Sequence, residues 1–99
     1  MNGGELLCLA LATCYCNDLY REAAKRGVQV LRVAVEVQGD FPAKGAPAAH
    51  LTYSASVTAH ASALAIRELM THTDGGAEIQ NTLQAATPVT LCHTEAISV

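Results

Sequence analysis

The sequence predicts an α+β domain with the order α-β-β-α-α-β, in which a small antiparallel sheet packs on a long central helix. Three observations lead there. A Leu/Ala-rich helical run over residues 4–26 stops at Gly27. Two stretches of alternating apolar and polar residues follow, at 31–38 and 51–59. Two shorter helical stretches then precede a β-prone tail. The 99 residues fit one domain over 1–99, because a typical domain takes about 100–200 residues.

Each element has a local reason. In the first helix Lys25 and Arg26 suit the carbonyl end of the helix dipole, and Gly27 supplies a left-handed stop. Its first half, Leu6-Leu7-Cys8-Leu9-Ala10-Leu11-Ala12, is apolar all round, so it demands cover on every side. In the first strand Leu31, Val33, Val35 and Val37 alternate with Arg32, Ala34, Glu36 and Gln38, which gives one buried face. Residues 39–47 carry prolines and glycines and read as a loop. In the second strand Leu51, Tyr53, Ala55, Val57 and Ala59 face one way, with Thr52, Ser54, Ser56 and Thr58 opposite. Residues 61–71 are expected to form a short amphipathic helix in which Leu64, Ile66 and Leu69 offer apolar contacts while Arg67 and Glu68 face solvent. Thr73-Asp74-Gly75-Gly76 reads as a turn that caps a helix over 76–84, whose core side is Ile79 and Leu83 and which Pro88 closes. The tail 89–97 is expected to return as a third strand.

Composition narrows the function. Hydrophobic residues make up 51% and charged residues 15%, with three Tyr, one Phe and no Trp. A small domain has a poor surface-to-volume ratio, and this aliphatic excess is more than a three-strand sheet can cover; dimerisation through the long helix is the simplest remedy. A net charge of −3 without a basic stripe argues against nucleic-acid binding. The apolar run 6–16 is about half of the ~20 residues a membrane span needs. No basic region leads the N-terminus as in a secretory signal, so a cytoplasmic protein with reduced thiols is expected.

The candidate chemistry centres on Cys14. A thiol in a shielded, rigid helical site attacks a peroxide or disulfide if it is ionised, although free cysteine is also a common small apolar filler. Cys14 shares a helix stripe with Leu7, Leu11, Asp18 and Arg21; Arg21 lies about two turns away, too far for a direct pair. On this reading nothing local activates the thiol. Cys8 and Cys16 fall on other faces as packing residues. Cys92 and His93, adjacent on the expected last strand, point to opposite faces and cannot chelate one ion. His50, His60, His72 and His93 show no ligand spacing, so no metal is expected. His72 with Asp74 could serve as a catalytic pair, but such residues ordinarily cap and solvate a turn. Gly3-Gly4 and Gly75-Gly76 lack the context of phosphate loops, and no cofactor is expected.

Gly4-Glu5-Leu6-Leu7, six residues, then Cys14, followed by Ala23-Ala24-Lys25-Arg26-Gly27-Val28 and a Val-rich strand, resembles the osmotically inducible protein C and organic hydroperoxide resistance family (OsmC/Ohr). The resemblance covers almost the whole chain and matches the C-terminal portion of the family fold. It implies an intertwined homodimer with long central helices and a peroxiredoxin-like role in oxidative stress. In that chemistry a helix thiol attacks an organic hydroperoxide and a second thiol resolves the sulfenic acid. The attacking cysteine maps to Cys14. The resolving cysteine maps to Ala77, and the assisting glutamate to Gly4, with Glu5 one position on. The assisting arginine belongs to an N-terminal β segment that does not precede this helix here, and another chain could supply that half. Two readings follow: a thiol-dependent peroxidase using Cys14 with an external thiol, or Cys16 after local distortion, as resolver; or a catalytically degenerate dimer that binds a hydrophobic small molecule or serves assembly.

Overall fold

The computed structural model describes residues 1–93 and 95–98. Helix α1 (Gly3–Arg26) leads into an antiparallel pair, β1 (Gln29–Asp40) and β2 (Ala49–His60), followed by helices α2 (Ala63–Gly76) and α3 (Glu78–Gln84). The α+β class and the first five elements follow the expected order. The third strand does not: the described residues of 89–97 carry no strand, Val89, Leu91, Cys92, His93 and Ile97 are exposed, and Thr94 lies outside the described residues. β-propensity alone does not make a strand where no neighbour completes the hydrogen bonds.

Helix α1 is fixed at both ends. Asn2 is its N-cap: Oδ1 accepts from the Glu5 backbone N–H at 2.9 Å, and Nδ2 donates to Glu5 Oε1 at 3.0 Å. At the other end Gly27 takes φ 68°, and its N–H and that of Val28 close on the last carbonyls of the helix. The helix buries one row, Leu11, Tyr15, Leu19 and Ala23, spaced one turn apart. The expected cover on every side is absent within one chain, since Leu6 and Leu9 are each about half exposed.

Tyr15, Leu19 and Ala23 meet Leu69 of α2 in the core, flanked by Val28, Val30, Val33, Val35, Tyr53, Ala55, Val57 and Met70. The β2 face matches expectation residue for residue. On β1 the register shifts between Val30 and Arg32, so Leu31 is the extra residue of a bulge and is exposed, while Val30 takes its place inward. The turn expected at 73–76 is instead the end of α2, whose N-cap is Ser62. In α3 the expected core residue Leu83 is exposed, and Gln80 is buried in its stead.

Candidate functional site

The fourth and fifth turns of α1 hold the candidate thiol and its neighbour. Cys14 is half-buried, and its Sγ donates to Asp18 Oδ2 at 3.5 Å. Asp18 Oδ1 in turn holds the Arg21 guanidinium at 3.0 Å. The sequence reading named no group beside Cys14; the structure sets the Asp18 carboxylate against it. Arg21 is indeed too far for a direct pair, but the carboxylate one turn on bridges the gap. The signal was the i, i+4 spacing, which puts Cys14 and Asp18 side by side on one stripe. Such a pair gives the thiol an adjacent hydrogen-bond acceptor.

Two tyrosines stand beside this pair. Tyr15 and Tyr53 pack edge to face, with ring centroids 5.3 Å apart. The Tyr15 hydroxyl donates to the Met70 carbonyl at 3.1 Å, and the Tyr53 hydroxyl donates to Asp74 Oδ1. Burial pushes the Tyr53 phenol well above its ordinary value; the Asp74 hydrogen bond and charge, then Tyr15 and Cys14, push it further. Tyr15 is pushed up by burial first, then by Asp74 and Cys16. Both phenols therefore stay protonated near neutral pH. Asp74 is thus committed to Tyr53. His72 pairs with Glu22 at 3.4 Å, so His72 and Asp74 do not form the catalytic pair the sequence allowed. Nor do they cap α3, whose N-cap is Ala77 with no side-chain cap. Glu22 is held below the usual carboxylate range, chiefly by the hydrogen bond from Arg26 and further by His72, Lys25 and Arg26 charge.

The positions where helpers were expected have other occupants. A Cβ at Gly4 would lie 3.0 Å from Cζ of Phe41, and one at Gly39 3.2 Å from the same ring. The Phe41 ring therefore lies where a glutamate side chain at position 4 would start. Glu5 is engaged with Asn2, nine residues and so about 13 Å along the axis from Cys14. Ala77 is fully buried at the α2–α3 junction, at the head of the helix as the resemblance implied, and offers no thiol.

The other cysteines are placed differently. Cys8 and Cys16 are half-buried and Cys92 is exposed. Burial pushes the Cys16 thiol up, which keeps it in the less nucleophilic form. Among the described residues no group of three or more His, Cys, Asp or Glu is placed to hold a metal, and no helix is long and apolar enough to cross a membrane.

Residue 80 was missed altogether by the sequence reading. Gln80 is 3% exposed, and its Nε2 donates to the Leu11 carbonyl at 3.0 Å, which ties α3 to the turn of α1 just before Cys14. A glutamine between Ile79 and Leu83 gives no pattern signal, because amphipathic spacing assigns the inward side to the apolar neighbours.

Comparison with known proteins gives one family. The model of the family described as OsmC-like protein matches residues 1–92. No curated protein matches the chain.

Proposed function

The chain belongs to the OsmC-like family, and on that premise we propose that it is a thiol-dependent peroxidase that reduces organic hydroperoxides through Cys14. The observation that carries this reading is the Cys14–Asp18 contact, backed by Arg21. Asp18 accepts the thiol proton as the sulfur attacks the distal hydroperoxide oxygen. The O–O bond breaks, the leaving oxygen takes the proton from Asp18, and the products are an alcohol and Cys14 sulfenic acid. An external thiol then attacks the sulfenic sulfur, releasing water and forming a mixed disulfide. A second thiol frees Cys14 and leaves as the external disulfide. An external reductant fits a chain in which Ala77 holds the resolving position and burial disfavours the Cys16 thiolate.

The working unit of this proposal is a homodimer that covers the exposed apolar face of α1. Steady-state consumption of an organic hydroperoxide with a dithiol reductant tests the chemistry. Cys14→Ser is expected to abolish turnover, and Asp18→Asn to slow it by about 10²-fold, the lower range for a positioned proton acceptor. Equal rates for wild type and Cys14→Ser would remove the peroxidase reading in favour of a protein that only binds or assembles.

A further inference from the structure

One side of α1 carries more than the candidate thiol. Cys14, Asp18, Arg21 and Lys25 follow one another at intervals of four, three and four residues, so their side chains share a face of the helix. Beside the last three lies a cleft of about 160 Å³, with His72 and Gly76 of α2 on its other wall. Four of the six Lys and Arg residues in this chain of net charge −3, Arg21, Lys25, Arg26 and Arg67, sit on the C-terminal half of α1 or on α2.

The carboxylates of the cleft do not occupy all of its cationic donors. Asp18 Oδ1 accepts from Arg21 Nη2 at 3.0 Å, and a guanidinium has five N–H donors. Glu22 Oε1 is engaged by Arg26 Nε at 3.2 Å and by His72 Nε2 at 3.4 Å, which leaves Lys25 at the outer limit of pairing, 4.0 Å from Oε2. The Arg21 and Lys25 side chains are 61% and 68% exposed, one turn apart, where like charges repel. An anion seated between them relieves that repulsion and meets donors that the fold leaves open.

The position of the two cations relative to the thiol decides what the anion belongs to. Arg21 lies seven residues past Cys14, ~10 Å along the axis. Its guanidinium reaches back onto Asp18, whose other oxygen accepts from Cys14 Sγ at 3.5 Å. A molecule whose sulfur meets Cys14 therefore brings to Arg21 and Lys25 whatever group it carries two or three residue lengths away, about 7–10 Å.

We propose that this cleft docks the external reductant by a carboxylate: the reductant is a small thiol whose carboxylate is held by Arg21 and Lys25 while its sulfur attacks the Cys14 sulfenic acid. The S–S bond forms as the S–O bond breaks, and the hydroxyl leaves as water with the proton of the incoming thiol. The inference deepens the peroxidase reading and rests on it for the sulfenic acid. Arg21 and Lys25 are then specificity residues for the reductant, and attraction between exposed charges of this kind weakens with salt.

The test titrates the full chain, without turnover, with S-methylglutathione, a tripeptide whose sulfur is blocked, and with its glycyl ethyl ester, followed by ¹H–¹⁵N NMR. At low ionic strength the free acid is expected to bind about fivefold more tightly and to shift amides of 18–25 and 72–76; salt at about 0.5 M should erase the difference. Lys25→Gln should lose the preference and Lys25→Arg keep it. Lys44→Gln, which removes a cation from the loop between β1 and β2, should also keep it. No preference in wild type, a preference unaltered in Lys25→Gln, or one lost equally in Lys44→Gln would overturn the proposal; the wild-type comparison decides even if a variant fails to fold. If Cys14→Ser matches wild type in hydroperoxide turnover, the peroxidase reading and the reductant role fall together. If turnover depends on Cys14 but the carboxylate preference is absent, only this proposal falls.

Discussion

Tyr53 is the residue at which burial, hydrogen bonding and charge act in one direction. Its phenol is protonated in the fold to a pH well above the ordinary tyrosine value of 10.0. In the unfolded chain it would ionise near that value. A group whose folded pKa is raised contributes stability that is fully present below the unfolded pKa and is lost as pH rises through the folded one. The wild-type denaturation midpoint is therefore expected to fall as pH climbs past about 10. Tyr53→Phe should fall less steeply over the same range while retaining the smaller share from Tyr15. Parallel curves from pH 8 to 11 would show that Tyr53 ionises alike in both states. The same residue shows what the sequence made legible at this scale. The strand alternation placed Tyr53 on the inner face, but its partner Asp74 is 21 positions away, and long-range polar pairs leave no periodic trace. Asp18 was legible in principle, one turn from Cys14; Gln80 was not, because its burial depends on where α3 lands on α1.

At the scale of elements, the same substitution is expected to have opposite signs at two glycines. Gly27 holds φ 68° with nothing within 4 Å of a built Cβ, so alanine there meets no neighbour and its cost is purely conformational, about 1 kcal/mol. Gly75 is also open around its Cβ position but sits in the last turn of α2. Alanine there should stabilise by about 0.5 kcal/mol through helix propensity and a less flexible unfolded chain. Thermal unfolding at one fixed protein concentration checks both; a rise in midpoint for Gly27→Ala would remove the left-handed cap from the account of α1. Elements with a strong local signal were the ones the sequence revealed: α1 with its Gly27 stop, and β2 with its unbroken alternation. The Leu31 bulge escaped because a one-residue insertion changes the face without changing composition. The tail 89–97 escaped because β-propensity does not by itself specify pairing: the sheet has only β1 and β2, and the described tail residues do not join either edge.

At the scale of the molecule, one chain leaves its longest helix half covered. The radius of gyration is 17.4 Å, against about 13 Å for a compact domain of 100 residues. Part of the reason is α1, whose 24 residues span about 36 Å, while the buried core lies along one of its faces. Across α1 from that core, Leu6, Leu9, Thr13, Cys16 and Tyr20 follow one another at alternating spacings of three and four residues, the interval at which helices pack side by side. Leu6, Leu9 and Tyr20 are each about half exposed. Thr13 on the stripe is exposed as well, and Cys16 is half-buried. Sedimentation at micromolar concentration is expected to show twice the chain mass. Leu6→Lys combined with Leu9→Lys should yield a monomer, because charge placed in the seam is desolvated without a partner. Both side chains are already half in solvent, so the helical circular dichroism should survive in the variant, separating lost assembly from lost folding. A wild type that sediments as a stable monomer would leave the stripe unexplained and overturn the dimer.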